Sequence, residues 1–168
     1  MMEMRRHKVW ALGVPAAKAL CALFLTLAVG CATAAAPHGE RASAEIGIRL
    51  AQEMAADASR LDVVALAKLI PQTDRIVYVS DGHPIRGNEY LKVMGEFYAT
   101  LRQLDFQWEK LEGFPIGDDE VEVTGWANAH MVTQKGETET QHAIFTMVFA
   151  RGKDGWKRVI AHKTVLKE

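Results

Sequence analysis

The sequence predicts an α+β domain in which three N-terminal helices pack on a curved antiparallel sheet. Two patterns carry this expectation. Between Arg41 and Gln103, apolar residues recur at three- and four-residue steps in three separate segments, the repeat of a helix face. From Asp105 onward apolar and polar residues alternate in long runs divided by glycine-containing turns, the repeat of strands. The roughly 130 residues involved are one domain's worth of chain, enough to bury a core.

The first helix is expected from Arg41 to Ala58, because Ile46, Leu50, Ala51, Met54, Ala55 and Ala58 fall on one side of it. A shorter second helix follows, with Ser59 and Asp62 as a capping pair, Leu61, Val64, Ala65 and Leu69 as its apolar side, and Pro71 as its stop. The β-branched and aromatic run Asp74 to Ser80 reads as a strand, after which Asp81-Gly82 and His83-Pro84 form a turn. The third helix opens at Gly87-Asn88, the Asn side chain accepting a bond from an otherwise unpaired amide. It continues to about Gln103, and its stripe of Tyr90, Leu91, Met94, Phe97, Tyr98 and Leu101 reads as core.

Four strands complete the chain: Asp105 to Leu111, Glu120 to Val132, Thr138 to Arg151 and Trp156 to Val165. Hairpins near Gly117-Asp118-Asp119, Lys135-Gly136-Glu137 and Gly152-Lys153-Asp154-Gly155 connect them. Side chains alternate across a strand, so Val121, Val123, Gly125, Ala127, Ala129 and Met131 share one face, as do Ala143, Phe145, Met147 and Phe149. Val159, Ala161 and Val165 do the same in the last strand. This apolar set faces the helices and forms the concave side.

On the opposite face a hairpin centred on Gly136 places His130 across from His142, with His162 beside Ile144 and diagonal to His142. Trp126 and Trp156 flank them. Three histidines so placed are of metal-ligand type, but no carboxylate joins them, and a one-residue slip in register scatters the group.

The first thirty residues carry a different message. Arg5, Arg6 and Lys8 precede the apolar run Ala19 to Gly30, which is short for a bilayer span of about 20 residues yet suits an export signal. Leu27-Ala28-Val29-Gly30-Cys31 resembles a bacterial lipoprotein signal, in which Cys31 takes the lipid; Ala32-Thr33-Ala34 offers an ordinary small-x-small cleavage instead. The expected layout is a signal peptide over 1–30, a tether over 31–40 and a domain over 41–168. Location in the cell envelope, lipid-anchored or periplasmic, follows from either cleavage. Both readings remove Cys21, leaving the mature domain no disulfide, thiolate nucleophile or thiolate metal site.

Losing Arg5, Arg6, Lys8, Lys18 and Glu3 with the signal leaves 16 basic and 20 acidic residues, a net charge of about −4. No basic patch remains to hold a phosphate backbone, which argues against nucleic acid as a partner. No cofactor is expected.

The element order, and above all the C-terminal stretch Phe145 to Val165, resembles the nuclear transport factor 2-like (NTF2-like) superfamily, which includes SnoaL-like polyketide cyclases, ketosteroid isomerase and scytalone dehydratase. Gly155-Trp156, an aliphatic strand, then His162 and Thr164 at alternate positions match that family's habitual ending. Arg158 stands where the ending usually carries an aliphatic residue. The resemblance covers residues 41 to 166 and implies a cone-shaped fold, often dimeric through the outer sheet face, hosting both enzymes and non-enzymes.

Under that resemblance the small residues Ala127 and Ala129, set among Phe145 and Met147 and roofed by Tyr90, Met94 and Phe97, are expected to leave a pocket for a small apolar ligand. The competing outcome is a core filled by the helix stripe. The outer face, with Trp126, His130, His142 and His162, is expected to meet a second copy of the chain. Enzymes of this superfamily aim an acid or base into the cavity. Here the candidates are Asp57, Tyr78, Asp81 and His83, each also readable as a cap, turn former or surface group. The function expected is a binding domain without assignable catalysis; an isomerase, dehydratase or cyclase in the same pocket, or a dimeric assembly module, are the alternatives.

Overall fold

A computed structural model describes residues 38–167, with side chains from Ala42 onward. The signal segment, Cys31 and most of the tether lie outside the described residues; the tether's last three residues, from His38, already belong to the first helix. The elements are α1 (His38–Ser59), α2 (Val63–Ala67), β1 (Val77–Ser80), β2 (His83–Arg86), α3 (Gly87–Ala99), β3 (Leu101–Gly117), β4 (Glu120–Thr133), β5 (Thr138–Gly152) and β6 (Gly155–Val165). They form an α+β domain whose single six-stranded sheet runs β2-β1-β6-β5-β4-β3. It is the NTF2-like cone.

Several local expectations change. The sheet is mixed, because β1 pairs parallel with β6 (Tyr78↔Ala161), and every other pairing is antiparallel. His83-Pro84 is the start of an edge strand, and Asp81-Gly82 alone makes the turn, with φ of 51° and 83° as a two-residue hairpin demands. Pro84 is tolerated there because an edge strand leaves one row of amides unpaired.

The second helix is capped by Asp62, whose carboxylate accepts from the Ala65 N–H at 2.9 Å. Ser59 instead bonds the Phe106 backbone, tying the end of α1 to β3. Val64, assigned to the apolar side, is 73% exposed, and Leu66 takes its place. α3 begins without a side-chain cap; the Asn88 N–H is satisfied by the Thr73 carbonyl. Leu101 opens a strand because pairing with β4 along the whole of β3 outweighs the helical pattern that ran on from Tyr98.

Curvature comes from irregular register at Leu101/Gln103, Trp108/Lys110 and Pro115/Gly117 in β3, and opposite Val148/Phe149 in β6. The bent sheet turns its concave side to the helices. α1 lays Leu50, Ala51, Met54 and Ala55 against it, over Val121, Val123 and Phe149, which are fully buried. A second, smaller cluster of Tyr98, Leu101, Leu104 and Met131 closes the other end. Phe145 and Met147, like Phe149, point inward as the alternation required.

Candidate functional site: a cavity between two core clusters

The two apolar clusters touch through Met94 of α3, which packs against both. Between them lies a cavity of about 350 Å³, a size that suits a small organic ligand. Tyr90, Met94, Phe97, Ala127, Ala129, Phe145 and Met147, the residues expected at such a space, are among those that line it. Its existence follows from side-chain volume. Ala127, Ala129, Ala143 and Ala161 come from three adjacent strands, and their methyl groups leave a floor lower than larger side chains would.

One wall is aromatic. Phe106, Trp108 and Phe145 meet edge to face with ring centroids 5.0 to 5.6 Å apart. The Trp108 Nε1–H donates to the Ala51 carbonyl at 3.0 Å, which fixes the indole between α1 and the sheet. Gly125 leaves the room it occupies, since a Cβ there would come within 2.5 Å of the Trp108 ring.

The opposite wall holds the polar groups, Tyr78, Tyr90, Arg158 and Lys163 among them. Strict alternation in β6 turns Val159 inward and Arg158 outward. The irregularity opposite Val148/Phe149 leaves Val159 as the extra residue, pairs Arg158 with Phe149, and so turns its side chain inward, only 4% exposed. Its guanidinium carbon lies 4.6 Å over the Tyr78 ring and 4.7 Å over the Tyr90 ring. The one signal in the sequence was a charged residue where the resembled ending carries an aliphatic one. Lys163, on the same face as Ala161, was legible from parity alone; it lines the cavity and pairs with Asp81 at 3.2 Å.

The Tyr78 hydroxyl donates to the Arg158 carbonyl at 2.9 Å. Desolvation raises the Tyr78 pKa against the opposing pull of Arg158, and desolvation raises that of Tyr98 well above the ordinary phenol value. Both therefore remain protonated at neutral pH.

The four catalytic candidates do not converge. Tyr78 lines the cavity, whereas Asp57, Asp81 and His83 do not. Asp57 is 3% exposed at the end of α1 and pairs with Arg60. Asp81 sits in the β1–β2 turn and accepts from the Val165 N–H, and His83 is exposed on the edge strand. No aspartate, glutamate, histidine or cysteine among the described residues lines the cavity.

On the outer sheet face the histidines separate. The β4–β5 register pairs His130 with Thr140 and His142 with Asn128, two residues from the expected match, and the shifted register of β6 sets His162 opposite Thr146. The hairpin centres one residue earlier than Gly136, which moves each pair by two positions while keeping the same face outward. No group of three potential metal ligands forms among the described residues. Trp126 lies on this face under the Lys110 ammonium, 4.9 Å away.

No protein-family model matches the sequence, and a comparison with curated proteins gives no match. Solved structures do match in fold. A protein described as a dehydratase of the NTF2-like family from Streptomyces avermitilis superposes with a TM-score of 0.66 at 19% identity, covering 77% of this chain and 99% of that one. Hexachlorocyclohexane dehydrochlorinase (LinA) gives 0.64 at 14% identity, over 76% of this chain and 88% of its own. A protein described as an aromatic ring hydroxylase from Novosphingobium aromaticivorans gives 0.67 at 14% identity, over 80% and 94% respectively. The likeness is one of fold.

Proposed function

We propose that this domain is an exported, lipid-anchored binding module that holds a small, largely apolar molecule in the cavity and carries out no chemical step on it. The observation behind this reading is the lining. A general base must sit within about 3 Å of the proton it takes, and here no carboxylate or imidazole among the described residues reaches the space. What the walls offer is mainly aromatic and aliphatic surface, with the cations Arg158 and Lys163, the neutral polar groups Ser80 and Gln141, and three tyrosines.

Native mass spectrometry of the protein taken from its own cell envelope tests the reading, with Ala127→Leu as the control that fills the floor. A retained small molecule that is lost in the variant is the expected result. An empty wild-type protein that also fails to take up N-phenyl-1-naphthylamine overturns it.

An isomerase, dehydratase or cyclase in the same cavity is the second reading. It rests on Tyr98, a phenol that lines the cavity and is of a residue type able to give a proton. Export and lipid attachment rest on Arg5 to Cys31; incorporation of an alkyne fatty acid that disappears in Cys31→Ser tests them. Pairing of two copies through the outer sheet face rests on its half-buried and exposed apolar residues Trp126, Ile144 and Ile160.

A further inference from the structure

We infer that the molecule held in the cavity carries a carboxylate on an otherwise apolar body, and that Arg158 is the residue that binds it. The inference deepens the binding reading above and rests on it.

Arg158 brings a guanidinium cation to the cavity wall. Burying such a charge is costly unless it is paired and hydrogen-bonded. Yet its Nε and Nη2 are buried with no hydrogen-bond partner among the described residues. No acidic side chain among the described residues lines the cavity, and Tyr78 and Tyr90 set their rings over the guanidinium while leaving Nε and Nη2 without a partner.

The two unpartnered atoms are not an arbitrary pair. Nε–H and the adjacent Nη2–H lie on one edge of the guanidinium and point the same way, which is the fork that receives a carboxylate through two parallel bonds. Everything else about the residue is held. Its backbone N–H donates to the Leu69 carbonyl at 2.8 Å, its carbonyl accepts from Tyr78, and the Tyr78 and Tyr90 rings fix the guanidinium. A group so positioned binds without first being ordered, which saves affinity.

Lys163 adds a second positive charge to the wall but already faces Asp81, so it favours an anion without competing for the fork. Phe106, Trp108 and Phe145 stand ready for the apolar body. Together they describe a small aromatic or branched aliphatic acid.

The test is calorimetric titration of the full chain with naphthalene-2-carboxylate and its neutral isostere naphthalene-2-carboxamide, for wild type, Arg158→Met and Arg158→Lys. Wild type binds the carboxylate at least about 10-fold tighter than the amide, from the charge-assisted pair of bonds. Arg158→Met erases that preference and leaves the amide within about 3-fold, without lowering the melting temperature, because an unpaired buried charge is replaced by apolar volume. Arg158→Lys keeps the charge, loses the fork, and loses most of the preference. Equal binding of the two probes by wild type, or equal weakening of both by Arg158→Met with a fallen melting temperature, overturns the inference while leaving the apolar binding reading standing. Failure of wild type to bind either probe overturns both.

Discussion

Arg158 and Tyr78 are joined twice: the guanidinium lies 4.6 Å over the phenol ring, and the phenol hydroxyl donates to the Arg158 carbonyl at 2.9 Å. The pair sits beside the parallel junction of β1 and β6, the point where the sheet departs from a plain meander. Tyr78→Phe keeps the ring face and removes only the hydroxyl. It is expected to cost about 1 kcal/mol in urea denaturation, the net worth of one buried hydrogen bond. A loss of several kcal/mol would mean that the hydroxyl has a larger part in the wall than this bond.

Gly125 and Trp108 give a sharper mechanical prediction. A methyl at Gly125 meets the indole at 2.5 to 2.8 Å, and the indole cannot slide away without breaking its bond to the Ala51 carbonyl. Gly125→Ala is therefore expected to destabilise by about 1–3 kcal/mol, the usual cost of overpacking. It also pushes Trp108 toward the cavity, so N-phenyl-1-naphthylamine uptake falls in parallel. Thermal melts and probe fluorescence on the same preparation check both effects.

The sheet-forming half of the chain was readable because its strands are long and amphipathic: Val121, Val123, Ala127 and Met131 alternate with polar neighbours, and all four are buried. That same alternation located the alanine floor of the cavity. It failed at Arg158, because a bulge adds one residue and reverses parity beyond it, and nothing local in the sequence marks the extra residue. It failed at the histidines for a related reason: hairpin register is set by turn geometry, and a centre one residue from Gly136 moves every cross-strand partner by two. Helix caps at Ser59 and Asn88 were misplaced because tertiary partners, the Phe106 backbone and the Thr73 carbonyl, took the groups that a local cap would have used.

The outer sheet face makes a prediction about assembly. Ile160 is 51% exposed at the centre of β6 on the face away from the helices, beside Val148 of β5. If two copies pair through this face, as proposed, Ile160→Lys separates them, because a charge brought into an apolar contact has no partner there. Light scattering after gel filtration should then read a dimer for wild type and a monomer for the variant, with far-ultraviolet dichroism unchanged. A monomeric wild type at every concentration removes the proposal.

Asp81 links acidity to stability. Burial alone would raise its pKa, but the Val165 N–H, Lys163 and the Ser80 hydroxyl outweigh burial and hold it below the ordinary 3.8. A carboxyl whose folded pKa is depressed contributes stability that is complete above its unfolded pKa and is lost as pH falls through the folded one. The contribution is thus present at neutral pH and disappears below about pH 4; because the side chain is 39% exposed, solvent and salt keep it to a few tenths of a kcal/mol. Asp81→Asn keeps an acceptor for Val165 and tolerates the left-handed backbone of the turn, so it removes only this acid dependence. Asp81→Ala also forfeits the acceptor and places a methyl at φ 51°, and should cost about 1–2 kcal/mol more than Asp81→Asn at pH 7. Urea titrations of the three proteins at pH 7 and pH 3 check it: the gap between wild type and Asp81→Asn narrows at low pH, while the penalty of Asp81→Ala relative to Asp81→Asn persists at both.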